Sequence, residues 1–126
     1  DALRSVLDVL PGRTLIVASA DLSHVGPQFG DQRTLAGDSD EAAQGRNKVI
    51  QHDREMLNLF SMGKGEELVA SMAWQQNPTR WCSVGNMVAT LKLTDAGPED
   101  VRMLHYAAAM DQQGLAMVSS CAAAIF

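Results

Sequence analysis

A chain of 126 residues with a formal net charge of −5, 46% hydrophobic and 20% charged residues, is long enough for one domain with its own core and too short for two. Its few Lys and Arg are scattered singly and form no basic stripe to neutralise phosphates, so neither nucleic acid nor a membrane surface is an expected partner. No apolar run approaches the roughly 20 residues of a membrane helix and no basic-then-apolar leader opens the chain, so a soluble, cytoplasmic protein is expected.

Ala2 to Leu10 places Leu3, Val6, Leu7 and Leu10 at helical spacing, which predicts a helix with one buried stripe. Pro11-Gly12 ends it. Thr14-Leu-Ile-Val-Ala-Ser-Ala20 is a continuous apolar run with a β-branched centre, the pattern of a central strand buried on both faces. From Asp21 to about Ser39 the chain turns rich in Gly, Asp and Pro and reads as a long loop, a kind of segment that is usually functional or mobile. A long helix is predicted from about Glu41 to Gly63, with Val49, Ile50, Met56, Leu57 and Phe60 on its apolar face and Lys48, Asp53 and Arg54 among its polar positions. A shorter helix follows from Glu66 to about Gln75, and a third from Cys82 to Leu93. Val101 to Met110 and Leu115 to Phe126, separated by Asp111-Gln-Gln-Gly114, read as a closing β-hairpin in spite of their helix-prone Ala and Met. The inventory predicts an α/β fold whose sheet carries helices on both faces. So small a sheet leaves edges uncovered, which implies another half, covalent or as a homo-oligomer partner. The start at Asp1, without a methionine, agrees with part of a longer polypeptide.

Asp21 and His24 fall where the first predicted strand runs into its loop, the place where ligands gather in open α/β sheets. Both are metal-ligand and acid/base types. The plainer alternative is that Asp21 and Ser23 bond the turn backbone while His24 packs against it. Cys82, at the predicted start of a helix, sits where the helix dipole favours thiolate and suits a nucleophile or soft metal ligand, against the alternative of an ordinary buried cysteine beside Trp81. Cys121 reads as core, and with neither cysteine in a Cys-x-x-Cys pair, free thiols are expected. His52 reads as a solvated helix residue. His105 shares a strand face with Met103 and Ala107 and reads as a core histidine or pocket wall. The dispersed methionines are core filling, and the glycines form no phosphate-binding fingerprint.

The segment Val17-Ala-Ser-Ala-Asp-Leu-Ser-His-Val-Gly-Pro-Gln-Phe-Gly-Asp31 resembles the characteristic motif of Memo-like proteins, the family also labelled AmmeMemoRadiSam system protein B. The later order agrees: His52-Asp53-Arg-Glu on a helix, Arg80-Trp-Cys82 opening a helix, Leu104-His-Tyr106, and the small-residue ending Ser119-Ser-Cys-Ala-Ala-Ala124. The resemblance implies a fold like that of class III extradiol dioxygenases and a pocket of histidines, an aspartate and a cysteine associated with redox-active iron or copper. It carries over Asp21, His24 and Cys82, with Asp21 and His24 as catalytic candidates and all three as metal ligands. The family's two other pocket histidines lie in an amino-terminal half that this sequence does not include, so the chain matches the carboxyl-terminal half as a single Memo-like domain over residues 1–126. Cys82-Ser-Val-Gly-Asn-Met87 also departs from the family's Cys-Gly-x-x-Pro pattern, which leaves the pocket wall there open.

The leading expectation is therefore a metal-binding, redox or dioxygenase-like protein with an iron or copper pocket completed by residues outside this chain. The alternative is a non-catalytic domain that keeps the fold and binds a peptide or protein. A third reading is a thiol enzyme using Cys82 with His24 or His105 as base. Small-molecule and peptide ligands both fit the first two.

Overall fold

The computed structural model describes residues 2–126, and Asp1 lies outside them. Helix α1 (Ala2–Leu7) comes first, then strand β1 (His24–Val25), a single 3-10 turn (Pro27–Phe29), helices α2 (Asp40–Ser61), α3 (Gly65–Trp74) and α4 (Val84–Thr94), and strands β2 (Val101–Met110) and β3 (Met117–Ile125). The three strands form one antiparallel sheet in the order β1-β3-β2.

The hairpin forms as its alternation predicts, with Val101 opposite Ile125 at the open end and Met110 opposite Met117 at the closed one. Asp111 closes the turn, its Oδ1 accepting the Leu115 N–H at 2.8 Å. A bulge between Met103 and His105 inserts Leu104 as an extra residue in β2. Val101 and Met103 point inward before it, and Tyr106, Ala108 and Met110 after it.

Helix α2 begins where Ser39 caps it, the hydroxyl accepting the Ala42 N–H at 3.2 Å, with Asp40 and Glu41 favourably placed in the first turn. Its buried residues Val49, Asp53, Met56, Leu57 and Phe60 recur at three- and four-residue spacing and face the sheet. Leu68 and Met72 of α3, Met87 and Leu91 of α4, Leu22 and Trp81 complete this core against Val101, Met103, Tyr106 and Cys121 of the hairpin. A smaller cluster of Val25, Leu35, Val49 and Met117 fills the end nearest β1. The chain is of the α/β class, and among the described residues the helices α2 to α4 pack on one face of the sheet. The expected helical cover on the second face is not seen there: Leu104, His105, Ala107, Ala109, Ser120 and Ala122 are exposed.

Two expectations about the start of the chain are corrected. Thr14 to Ala20 forms no strand, and Leu15 and Val17 are 86% and 74% exposed. β-branched residues prefer a pleated, half-buried surface only when a neighbouring ladder supplies it. Beyond Ser119 the edge of β3 facing this segment carries no ladder, so the sheet's first strand shrinks to the two residues of β1. Helix α1 is shorter than expected and buries no residue, with Leu3, Val6 and Leu10 exposed. No helix among the described residues is long and apolar enough to cross a membrane.

Candidate functional site

Two loops meet at the β1 edge of the sheet. The first carries Asp21 to Asp31 and is pinned to β3 by Leu22 N–H to Ser119 O (2.9 Å) and Ser119 N–H to Ser23 O (3.0 Å), so that two residues face one. The second, residues 76 to 83, is held by Asn77, whose side-chain oxygen accepts the Trp81 N–H (2.8 Å) and whose amide donates to Trp81 O (2.9 Å). Between the two, Asp31 accepts from Arg80 at 3.0 Å and lies 3.5 Å from Arg33, which in turn donates to Pro78 O. These bonds tie the outer side of the His24 loop to the Cys82 loop without a regular element spanning them.

His24 donates its backbone N–H to Thr79 O at 2.7 Å. Its ring Nδ1 lies 3.0 Å from Leu22 O and 3.3 Å from Arg80 O. Carbonyl oxygens only accept, so Nδ1 carries a proton and Nε2 is left as the lone-pair nitrogen of the neutral ring. Nε2 faces Asp21 Oδ2 at 3.9 Å, and Phe29 stacks edge-on against the ring with centroids 5.3 Å apart. Cys82 is exposed and donates its thiol to Asp21 O at 3.2 Å. All three sequence-derived site residues thus meet around Asp21. Nε2 and the carboxylate face each other, while the thiol is turned to the backbone. Among the described residues no group of three or more His, Cys, Asp or Glu is arranged to hold a metal ion.

Behind this cluster lies Asp53, which was expected among the polar positions of α2 and faces the core instead. Asp53 is fully buried. Its Oδ1 accepts from Ser23 Oγ (2.5 Å) and Trp81 Nε1 (2.7 Å), and its Oδ2 from Tyr106 OH (2.7 Å) and Ser119 Oγ (2.5 Å). Thr79 Oγ1 lies 2.7 Å from Ser23 Oγ. The donors are neutral, so hydrogen bonding alone offsets the cost of burying this carboxylate. Its signal was present in the sequence: Asp53 stands four residues after Val49 and three before Met56, inside the apolar stripe of α2.

The other histidines differ from expectation. His52 is buried, with Nε2 unpartnered and the ring edge-on to Trp81, because the packed face of α2 is wide enough to take it in with Asp53. His105 points to solvent, since the bulge at Leu104 reverses the alternation that placed it with Met103. Ser83 Oγ is also buried and unpartnered, at the wall of an apolar cavity of about 560 Å3 formed with Leu22, Phe60, Met87, Cys121 and Ile125.

Burial lowers the His52 pKa, outweighing the opposing pull of Asp53 and Glu55, and burial followed by Asp53 raises those of Tyr106 and Cys121. His52 therefore contributes stability above its ordinary value of 6.5 that is lost as pH falls through its folded pKa. Cys121 and Tyr106 contribute stability below their ordinary values of 9.0 and 10.0 that is lost as pH rises beyond them. Melting temperature should fall on both sides of this window, with His52→Leu flattening the acid limb and Tyr106→Phe the alkaline one. Acid and alkaline limbs unchanged in these variants would assign the pH dependence to other groups.

The comparisons with known proteins agree with one another. The family model described as Memo-like protein matches residues 1–125. The MEMO1 family protein TTHA0924 of Thermus thermophilus is 38% identical over 96 residues, covering 74% of this chain and 25% of the relative. The chain thus spans about a quarter of the length of the curated relative it matches. No solved structure matches it. With the family model running across the β1 loop, the buried Asp53 helix and the closing hairpin alike, this chain belongs to the Memo-like family.

Proposed function

We propose that this chain contributes the donors His24 Nε2, Asp21 and Cys82 to a metal pocket for iron or copper. The observation that carries the reading is the facing pair: with Nδ1–H committed to Leu22 O, the Nε2 lone pair and the Asp21 carboxylate converge across 3.9 Å, an arrangement that a cation relieves. A proton on Nε2 relieves it equally, which makes Asp21 and His24 an acid/base pair in the same geometry. Imidazole suits both metals and a neighbouring thiolate favours copper(I). When bound, either metal supplies one-electron redox chemistry; the chain's own part is to orient Nε2 through the Nδ1–H bond and to hold a carboxylate beside it. Further donors come from outside this chain, from the rest of a longer Memo-like polypeptide or a second copy.

Titration of the chain with iron(II) and copper(I) under anaerobic conditions tests this. Binding by the chain alone should be weak, and His24→Ala should lower it by more than the roughly 10- to 100-fold that loss of a ligand's hydrogen-bond partner costs. Cys82→Ala should weaken copper(I) more than iron(II). Affinity unchanged by His24→Ala and by Asp21→Asn would remove the site. The exposed face around Leu104, Ala107 and Ala109 favours a second reading, a peptide- or protein-binding domain. Absence of metal uptake together with partner binding lost in Leu104→Asp would favour it.

A further inference from the structure

The carboxylate of Asp53 touches neither His24 nor Cys82, yet two of its four donors are their immediate sequence neighbours. Ser23, one residue before His24, and Trp81, one residue before Cys82, both bond the same oxygen, Oδ1, at 2.5 and 2.7 Å. Trp81 Nε1 also lies 3.1 Å from Ser23 Oγ, so the two loops are joined at one point behind the candidate site. On the opposite oxygen, Tyr106 and Ser119 tie the same carboxylate to β2 and β3. Ser119 further receives the Ser23 N–H on its hydroxyl at 3.0 Å. Between residues 76 and 83 the backbone takes left-handed conformations at Gln76, Asn77 and Arg80. An irregular segment of this kind has no ladder of its own to set its position. Besides Trp81, it is anchored through the Asn77 clamp within the loop, through Thr79, which receives the His24 N–H on its carbonyl and lies 2.7 Å from the Ser23 hydroxyl, and through the bonds from Arg80 and Arg33 to its outer side.

We propose that Asp53 is a positioning residue for the candidate site: by accepting hydrogen bonds from Ser23 and Trp81 on one oxygen it fixes the spacing between the His24 loop and the Cys82 loop. This rests on the reading that Asp21, His24 and Cys82 act as one site, but its test needs no metal. Two local readouts on the full chain follow the two loops separately. One is the rate of Cys82 alkylation by iodoacetamide, resolved from that of Cys121 by peptide mapping; the other is the pair of His24 ring nitrogen chemical shifts at fixed pH.

Trp81→Phe keeps most of the ring's bulk and removes the donor, and should raise Cys82 alkylation fivefold or more as the thiol leaves Asp21 O. Ser23→Ala should move the His24 nitrogen shifts while the fold, followed by far-ultraviolet circular dichroism, is kept. Tyr106→Phe removes a bond of the same length to the same carboxylate but adjoins neither site residue. It should lower the melting temperature and leave both readouts within twofold or unshifted. Trp81→Phe and Ser23→Ala without local effect, or Tyr106→Phe moving both readouts as far as they do, would make Asp53 a purely structural group and overturn the proposal. A metal titration that fails in the unsubstituted chain would defeat the metal reading alone, since alkylation and ring shifts decide the positioning role independently.

Discussion

Asp53→Ala is expected to cost the chain about 3–5 kcal/mol, because several buried neutral donors lose their shared acceptor at once. The reason lies in what remains. Trp81 Nε1 and the Tyr106 hydroxyl lose their carboxylate partner inside the core, and Ser119 loses the acceptor of its proton. Ser23 keeps a hydroxyl neighbour in Thr79, and Trp81 Nε1 keeps a longer bond to Ser23 Oγ at 3.1 Å. Each buried donor left without an acceptor costs about 1–3 kcal/mol, and a native domain holds only about 5–15 kcal/mol in all. Asp53→Asn should be milder, about 1–2 kcal/mol, because the amide oxygen can still face Ser23 and Trp81. Its Nδ2 then faces Tyr106 and Ser119, whose hydroxyls can turn to accept. Trp81, a donor only, dictates that orientation. Urea denaturation read by Trp fluorescence and circular dichroism checks the order. Asp53→Ala as stable as the unsubstituted chain would mean that water or the hydroxyls among themselves satisfy the donors.

How much of this was legible in the sequence depends on how local the determining interaction is. The apolar stripe of α2 and the alternation of the closing hairpin are carried by residues three, four or two apart, and both elements form close to where the pattern placed them. Thr14 to Ala20 has an equally strong local pattern, but a strand is decided by its neighbour's free N–H and C=O groups, which no window of sequence contains. The single bulge at Leu104 is similarly invisible, and it alone turns His105 outward and Tyr106 toward Asp53. At the candidate site, Asp21, His24 and Cys82 were legible from residue type and position and then from resemblance, while the contact of the Cys82 thiol with the Asp21 carbonyl joins positions 61 apart. Asp53 was readable in principle. A carboxylate standing within an apolar helical stripe must find several donors or be expelled, so its position was a statement about residues elsewhere in the chain.

Gly26→Ala should be nearly as damaging, about 3 kcal/mol or more, from two independent causes. Gly26 sits at φ 128°, ψ 170°, a region of backbone space that side chains other than hydrogen rarely enter. Holding an alanine there costs about 1–3 kcal/mol. The added Cβ would also lie 2.7 Å from Ala116 Cα and 2.8 Å from Leu115 O, and crowding of that kind in a packed interior costs about 1–3 kcal/mol more. Both neighbours are backbone atoms of the hairpin turn, so no rotamer change can make room. Relief requires the β1 loop to move off β3, which breaks the pairing of Val25 with Met117 and of His24 with Val118. The damage should therefore reach the candidate site, shifting the His24 ring resonances as well as the urea midpoint. Gly85→Ala is the matched control: it lies in α4 with nothing within 4 Å of the added methyl, and removing a helical glycine should stabilise the chain by about 0.5–1 kcal/mol. Equal tolerance of alanine at positions 26 and 85 would show that the β1 loop packs against the hairpin turn less closely than the 2.7 Å approach requires.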